Sequence, residues 1–386
     1  MERRREIGVA ALVSLLLLGL NSAFVSATVG FVHKPKRVLE TDHYRYIDMA
    51  EAPPGRAATE RGREAPFCYR VLAPGLVWLL GRAGVGVNEA FYLVTNAFLF
   101  LFLLALHRLL RHEGASEAEA LLGLALAALV PGALRWYEYQ YWMPDPPCLF
   151  FVTLALLFIR TGREVPLLML SAVAVTARET YLIVLPVALL YYWRTVSPRE
   201  ALVRTARLAA VTLGCLALLR LAIEPAGGVG LLAAAREMVP FRARHLLENQ
   251  VYAATLGTFG VLFPLAWLRP ESLPGFLRRR PEDAALVATA YVSLVFANNT
   301  DRLLAYALPA VVPAALRALR SLAATGRQWL VAAAVALGLQ LFFYWQTPFY
   351  ERGISVYPPT RVAVVAALGV FWLGGRVLLR SKARSA

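Results

Sequence analysis

A short polar stretch follows the first long apolar run of the chain, and its sequence over residues 40–50 is ETDHYRYIDMA. Within it and just beyond, Arg45, Asp48 and Glu51 recur at every third position, and the apolar residues between them share another side. This spacing predicts a short amphipathic helix that lies at a membrane surface. The Pro-Pro-Gly sequence at residues 53–55 is expected to end that helix.

Long apolar runs on both sides of this stretch indicate the fold class. The chain has 386 residues, of which 59% are hydrophobic, and its mean hydropathy is +0.55. A helix that crosses a bilayer needs about 20 mostly apolar residues, and several runs of the chain approach that length. We therefore predict an all-α polytopic membrane protein with one transmembrane domain over residues 1–386 and no sizeable soluble domain. The run at residues 7–32 is predicted to be the first span, because it is longer than the apolar core of a signal peptide.

The distribution of arginine predicts the topology. Loops on the cytoplasmic side of a membrane protein are enriched in Lys and Arg. Applied here, this rule predicts about twelve transmembrane helices with both termini in the cytoplasm. The long outer loops are then residues 33–87, which carry amphipathic surface helices, and residues 224–250. A short apolar segment at residues 75–86, into which residues 67–74 lead, is interpreted as a surface or half-inserted helix.

Residues 165–193 allow two interpretations. As one helix they are too long for a single span, and Arg178-Glu179 falls near the middle. As two short helices they form a hairpin with that charged pair at the turn. Only the hairpin leaves the arginines of residues 194–207 inside, so we predict the hairpin.

Composition argues against two classes of partner. The formal net charge is +15, which first suggests nucleic acid, but most of the excess falls in loops predicted to be inside. The charge therefore follows the positive-inside pattern, and no nucleic-acid partner is predicted. The three cysteines form no CxxC motif, and the histidines show no ligand spacing, so neither a disulfide framework nor a metal site is indicated.

Several ionisable residues collect at the predicted outer boundary of the membrane, where such groups usually face a cavity or one another. These residues are Asp42, Arg70, Asp145, Arg178, Glu179, Asp301 and Arg302. An alternative for the three aspartates is that each only caps the helix that follows it. Arg178 and Glu179 could neutralise each other, although adjacent residues on a helix point apart.

Aromatic residues dominate the predicted outer loop at residues 136–142, WYEYQYW. Tyr and Trp are typical of the belt at a membrane–water interface, and we interpret them in this way. Stacking on sugar rings is the alternative.

The order of these motifs resembles bacterial members of the GT-C glycosyltransferase superfamily. The motifs are Asp42 with Tyr46 and Ala50, FCYRVLAP at residues 67–74, Asp145-Pro146 at the start of a span, ARET at residues 177–180, and NTDR at residues 299–302. The resemblance implies an enzyme that moves a sugar from a polyprenyl-phosphate donor to an acceptor on the outer side. It also implies an acidic base in the first outer loop, which by position is Asp42, with Glu40 as second choice. The Glu-x-Asp sequence departs from the Asp-x-Asp of the family, so dependence on a divalent metal is not indicated.

We therefore predict a membrane-embedded, inverting glycosyltransferase of the bacterial cytoplasmic membrane, with its active site facing outside. The acceptor, which is a glycan, lipid or protein, loses a proton to the base, and the leaving lipid phosphate needs guanidinium partners. The candidates for the phosphate are Arg70, Arg178 and Arg302, with Arg242, Arg244 and His245 as alternates. The first alternative function is a transporter or lipid flippase, which is disfavoured because few polar groups are recognised in the inner half. The second is a scaffold that binds lipid-linked sugars without catalysis.

Overall fold

The computed structural model describes residues 2–29, 42–228, 255–266, 278–294, 300–323 and 325–346, with short pieces within 235–240 and 369–374. Its helices, numbered in chain order, are α1 (Glu2–Val29), α2 (His43–Ala50), α3 (Leu72–Arg82), α4 (Val87–His112), α5 (Glu117–Ala128), α6 (Trp136–Tyr139), α7 (Asp145–Arg160), α8 (Glu164–Ala177), α9 (Val184–Thr195), α10 (Pro198–Ala222), α11 (Thr255–Phe259), α12 (Leu262–Ala266), α13 (Pro281–Ser293), α14 (Thr300–Leu304), α15 (Leu308–Leu322) and α16 (Gly326–Gln346). The short turns are the 3₁₀ segments Glu60–Arg63, Phe67–Tyr69, Glu179–Ile183 and Ala305–Ala307 and the π segment Pro131–Arg135. Two strands of two residues each, β1 (Glu64–Ala65) and β2 (Gly227–Gly228), form a parallel pair.

The apolar helices confirm a helical membrane fold. Within the described residues, five helices are long and apolar enough to cross a membrane. A sixth span results if Glu117–Ala128 and Gly132–Tyr139, which meet at 46°, form one bent helix. By contrast, α8 has 14 residues and α9 has 12. At 1.5 Å per residue they are about 18–21 Å long, shorter than the roughly 30 Å hydrocarbon layer. The described residues thus do not show twelve full-length spans. The apolar residues 362–379, which the sequence-based topology counts as the last span, lie almost entirely outside them.

The helices run back and forth between two ends, which we call the loop end and the basic end. The loop end carries α2, α3 and the turns between them. The basic end carries the ion pairs of Glu113, Asp283 and their arginines. The change of direction from one helix to the next is shown by α7, α8 and α9. Arg178, directly after α8, pairs with Asp145 at the start of α7, so the end of α8 lies beside the start of α7. The Tyr191 hydroxyl near the end of α9 donates to the Arg160 carbonyl oxygen at the end of α7, over 3.2 Å. Helices α8 and α9 therefore form the hairpin expected for residues 165–193, with its turn at the loop end.

The predicted amphipathic helix forms α2. Tyr46, Met49 and Ala50 are buried, whereas Glu51, at the next position of the predicted polar stripe, is exposed. The buried side packs with Ala73 of α3 and its neighbours in one hydrophobic cluster. Helix α2 ends before the Pro-Pro-Gly sequence, and α3 is a separate short helix, as expected for both segments.

The parallel strands attach the first loop to the segment that follows α10. Glu64 pairs with Gly227 and Ala65 with Gly228, and the Ala226 amide donates to the Arg63 carbonyl oxygen at 3.0 Å. Gly228 has φ +135°, and a Cβ at this position would lie 2.2 Å from the Ala65 carbonyl oxygen. Only glycine fits such a close approach of two backbones. The start of the second long loop is therefore held against the first.

Candidate functional site

The candidate site lies at the loop end, where four separate parts of the chain bring charged side chains together. Four arginines and four carboxylates form six ion pairs there, of which five make one connected chain and the sixth, Arg70–Glu179, is separate. The arginines are Arg45, Arg70, Arg178 and Arg302, and the carboxylates are Asp42, Glu64, Asp145 and Glu179. Because the two signs balance, no large excess charge is buried at this end of the bundle.

Asp42 precedes α2 but does not cap it. Its backbone is helical, with φ −52° and ψ −25°, and its side chain makes no capping hydrogen bond. The carboxylate instead pairs with Arg45 at 3.3 Å and with Arg302 at 3.8 Å, and its side chain is 29% exposed. The capping alternative is therefore not what the geometry shows. Asp42 combines partial exposure with a place beside two guanidinium groups, which suits a group that meets substrate.

Arg302 has few hydrogen-bond partners for a buried arginine. A guanidinium carries five N–H donors. One of them, on Nη1, donates to the Met143 Sδ at 3.1 Å, and a thioether is a weak acceptor. The carboxylates of Asp42 and Asp145 lie 3.8 Å and 3.7 Å away, beyond hydrogen-bond distance. Nε is buried without a hydrogen-bond partner among the described residues, so the group can still bind an anion.

Asp145 is completely buried at the start of α7. It does not cap the helix; its Oδ1 accepts a short hydrogen bond from Arg178 Nη1 and another from the Tyr306 hydroxyl at 3.1 Å. Its Oδ2 makes no hydrogen bond within the part of the chain that the structure describes, and faces Arg302. The capping alternative for Asp145 is thus replaced by a role as counter-ion.

The neighbours Arg178 and Glu179 bind different partners. Arg178 has extended backbone, φ −167° and ψ 142°, between α8 and the 3₁₀ turn that follows. Its side chain turns to Asp145, while Glu179 accepts from Arg70 Nε at 3.0 Å. Arg70 Nη1 also donates to the Tyr46 hydroxyl at 2.8 Å. The expectation that this adjacent pair does not simply neutralise itself agrees with the geometry.

Tyr46 joins α2 to this part of the site. Burial raises the pKa of its hydroxyl, against the opposing effect of the nearby Arg70 and Arg178. The phenol is therefore neutral near pH 7 and acts as a fixed acceptor for Arg70. Arg70 binds Tyr46 of α2 and also Glu179 at the tip of the α8–α9 hairpin. Arg70 thus connects α2, which follows Asp42, to that tip.

The aromatic residues of the 136–142 segment are not an interfacial belt. Trp136, Tyr137, Tyr139, Tyr141 and Trp142 are all buried. The Tyr137 hydroxyl donates to the Arg302 carbonyl oxygen at 2.9 Å, and Trp142 Nε1 donates to the Asn88 side chain at 2.9 Å. Because all five rings are buried, and Tyr137 and Trp142 hydrogen-bond inside the protein, these rings pack within the bundle and do not depend on the lipid interface.

The structure brings together most of the residues expected at the site and adds others. Asp42, Arg70, Asp145, Arg178, Glu179 and Arg302 all belong to it. The backbone of Asp301 lies in α14, and its side chain is outside the described part of the chain. Glu40, Arg242, Arg244 and His245 lie entirely outside the described part of the chain. Their proposed roles, and that of the Asp301 side chain, therefore stay predictions. The sequence reasoning considered Tyr137 only as one of the aromatic residues at 136–142, and it did not identify Met143 and Tyr306 as site residues, since a single tyrosine or methionine carries no local signal of its own.

The described donors do not fit a divalent cation. Hard cations prefer several carboxylate or carbonyl oxygens. Here Asp42 and Asp145 are each paired with two arginines, which would place a cation among guanidinium groups. Among the described residues, no group of three or more His, Cys, Asp or Glu side chains could hold a metal ion.

A second buried charged cluster lies at the basic end and was not expected. Glu113 accepts from Arg280 at 2.7 Å and from Arg317 at 2.6 Å, and it also pairs with Arg160. Arg160 in turn pairs with the fully buried Asp283. Sequence reasoning missed these polar contacts, because loop residues fold back between the helix ends. The cluster joins the ends of α4, α7, α13 and α15.

No protein-family model and no curated protein matches the chain. The fold is similar to that of the oligosaccharyltransferase from Archaeoglobus fulgidus in its apo form. The TM-score is 0.52 at 14% identity, over 88% of this chain and 55% of that chain. The form tethered with an acceptor peptide gives 0.49 at 14% identity, over 88% and 54%. The complex with an inhibitory peptide and a dolichol-phosphate gives 0.45 at 15% identity, over 98% and 55%.

The chain thus spans about half the length of the oligosaccharyltransferase chains that it resembles. At such low identity the likeness to the apo structure shows the fold alone. That fold is a helical one, which this chain shares with an oligosaccharyltransferase.

Proposed function

We propose that the chain is a membrane-embedded glycosyltransferase that moves a sugar from a polyprenyl-phosphate donor to an acceptor at the loop end. The observation that carries this proposal is the arrangement of Arg302, a buried guanidinium whose Nε has no hydrogen-bond partner among the described residues, beside the partly exposed carboxylate of Asp42. One group suits a lipid phosphate, and the other suits an acceptor that must lose a proton. The shared fold with an oligosaccharyltransferase supports the class of reaction.

The orientation follows from the arginines. The basic end carries the exposed Arg278 and Arg279 in addition to its buried pairs, and an excess of arginine marks the cytoplasmic side. The loop end, which contains the candidate site, then faces the extracytoplasmic space. We assign the protein to a bacterial cytoplasmic membrane, as the resemblance implies.

In the proposed reaction, Asp42 accepts the proton of the acceptor as the acceptor attacks the anomeric carbon. The bond from that carbon to the phosphate oxygen breaks, and the polyprenyl phosphate leaves with the electron pair. Arg302 stabilises the negative charge of the leaving phosphate in a poorly hydrated site. A single direct displacement inverts the anomeric configuration.

The other two candidate arginines act mainly through the structure. Arg178 is engaged by Asp145, and Arg70 by Glu179 and Tyr46. Their donors already have good acceptors, so they hold the loop-end elements in place. Of the three, Arg302 is the one assigned to the phosphate.

The test is binding of farnesyl phosphate, a short polyprenyl phosphate, to the purified full chain in lipid nanodiscs. We expect the wild-type protein to bind, and Arg302→Gln to weaken binding about ten- to a hundredfold, the loss typical of one charged hydrogen-bond partner. Arg317→Gln is the matched control, because it removes an ion-paired arginine at the basic end, and its affinity should equal wild type. Absence of wild-type binding, or equal affinity in Arg302→Gln, would refute the proposal.

An enzyme and a lipid transporter differ in what happens to the donor. With a polyprenyl-phosphate-linked sugar and a membrane lipid extract as acceptor source, the enzyme releases polyprenyl phosphate and forms a glycosylated product. A transporter or a silent scaffold binds the donor and leaves it intact. Binding without any release would therefore replace the glycosyltransferase by one of these two functions.

A further inference from the structure

Arg302 stands between two carboxylates and is hydrogen-bonded to neither. Its Nη2 is 3.8 Å from Asp42 Oδ2, and its Nη1 is 3.7 Å from Asp145 Oδ2. Both separations exceed a hydrogen bond but are close enough for strong electrostatic attraction in a buried site. The single positive charge of Arg302 is thus divided between a partly exposed acid and a fully buried one.

The buried acid is held firmly on its other side. Asp145 Oδ1 accepts from both Arg178 and the Tyr306 hydroxyl, so the orientation of the carboxylate is fixed. Its Oδ2, which makes no hydrogen bond within the described residues, is therefore aimed at Arg302. Asp145 attracts the guanidinium without closing a hydrogen bond to it.

The backbone of Arg302 is held as well. Its carbonyl oxygen accepts from the Tyr137 hydroxyl at 2.9 Å, which fixes the start of the side chain. The Met143 thioether is the hydrogen-bond acceptor that the described residues give the guanidinium. The base of the side chain is anchored, and its charged end has only weak or distant partners.

We infer that Asp145 is a positioning residue that holds Arg302 between the two carboxylates in the free protein, in competition with the donor phosphate, and that Arg302 shifts from the carboxylates to the phosphate when the donor binds. This inference rests on the proposed function. Its consequence is an order of events. Once the phosphate takes the charge of Arg302, Asp42 keeps only its pair with Arg45 and is released to act on the acceptor. Donor binding would then prepare the base, and the free protein would hold Asp42 in a less reactive state.

The sign of a change in affinity tests this inference. Asp145→Asn removes the negative charge that competes with the phosphate for Arg302. We expect farnesyl phosphate to bind roughly tenfold more tightly, because one like charge near the ligand has been removed. A merely structural role for Asp145 predicts the opposite, since a loosened site binds less well.

Tyr306→Phe provides a second variant with the opposite expectation. It keeps the charge of Asp145 but removes one donor to Oδ1, so the carboxylate attracts Arg302 more strongly. Farnesyl phosphate should then bind roughly two- to fivefold more weakly. If Asp145→Asn does not fold, this variant still decides the question, and unchanged or tighter binding by it would count against the inference.

Two controls show whether the effect passes through Arg302. The double variant Asp145→Asn/Arg302→Gln should lose the gain in affinity and bind like Arg302→Gln alone. Asp283→Asn changes an equally buried aspartate at the basic end, and it should leave the affinity at the wild-type value. An Asp145→Asn protein that folds and binds as wild type, or more weakly, overturns the inference while leaving the proposed function intact. Failure of wild type to bind refutes the proposed function itself, and this inference with it.

Discussion

Replacing Asp42 by asparagine separates a catalytic from a structural role, because the structure sets the expected loss of stability. The side chain makes no capping hydrogen bond, so the loss of about 1 kcal/mol typical of a removed cap does not apply. Its pair with Arg45 joins two partly exposed groups and contributes about 0.3–0.5 kcal/mol. Arg302 lies beyond hydrogen-bond distance, and solvent at the partly exposed Asp42 carboxylate weakens the remaining attraction between the two charges. The free energy of unfolding should therefore fall by less than about 1 kcal/mol.

The expected loss of activity is much larger. A general base contributes roughly two to four orders of magnitude in rate, or about 2.7–5.4 kcal/mol of activation free energy. Asparagine keeps the size of aspartate but cannot take the proton. The assay measures release of polyprenyl phosphate from a polyprenyl-phosphate-linked sugar with membrane lipid extract as acceptor source, beside thermal unfolding in detergent.

Two further variants complete this experiment. Asp48→Asn is the matched control, because Asp48 is a nearby acid in α2 whose carboxylate accepts a hydrogen bond from the Thr59 hydroxyl. The turnover of this variant should be close to wild type. Glu40→Gln distinguishes the second choice of base from the first. Near wild-type turnover in Asp42→Asn would remove Asp42 from the mechanism, and an inactive Glu40→Gln would then pass the role to Glu40. A loss of several kcal/mol of stability in Asp42→Asn would refute the structural reasoning.

Three other predictions concern the rest of the molecule. In a variant without its native cysteines, a cysteine at Glu60 should react with an impermeant maleimide on intact cells and one at Arg279 should not; the reverse pattern would invert the topology. Glu113→Gln should lower the free energy of unfolding by roughly 2–3 kcal/mol, somewhat less than for a fully buried pair because Arg280 and Arg317 are partly exposed. Binding of farnesyl phosphate per folded molecule should not change in that variant, and an unaltered melting temperature would contradict the role of the cluster. Burial raises the pKa of Cys68 to about 11. Alkylation of this thiol should therefore be slow at pH 7 and accelerate toward pH 10 as thiolate forms. An alkylation rate at pH 7 equal to that of the unfolded chain would disprove the raised pKa.

The parts of the fold that were predictable are those set by local patterns. The spacing of Arg45, Asp48 and Glu51 indicated α2 and its buried side, since a helical period places these residues on one face. The break at Arg178-Glu179 was predictable because two charges in the middle of an apolar run are costly in lipid. Both inferences needed only neighbouring residues.

Contacts between distant parts of the chain were beyond this reasoning. Asp145 meets Tyr306, 161 residues later, and no local pattern marks a tyrosine in an apolar run as its partner. The aromatic residues at 136–142 have the composition of an interfacial belt, yet Trp142 is buried inside the bundle. Its indole nitrogen can be buried there because Asn88 accepts a hydrogen bond from it. The basic-end cluster was missed for a related reason, since Glu113 lies in a short polar turn that looks solvated from sequence.

The charged tip of the α8–α9 hairpin has a consequence for the biogenesis of the protein. In the proposed orientation, with the loop end outside, Arg178 and Glu179 must pass through the hydrocarbon layer when this hairpin enters the bilayer. An unpaired charge at mid-depth costs about 2.5–3.5 kcal/mol there on translocon scales. The side chains that bind the tip are Asp145 for Arg178 and Arg70 for Glu179. Both belong to segments that the ribosome has already made when the hairpin emerges. The counter-ions for this costly insertion step are therefore synthesised before the charges that they neutralise. It follows that α7 has to be in the membrane before the hairpin inserts.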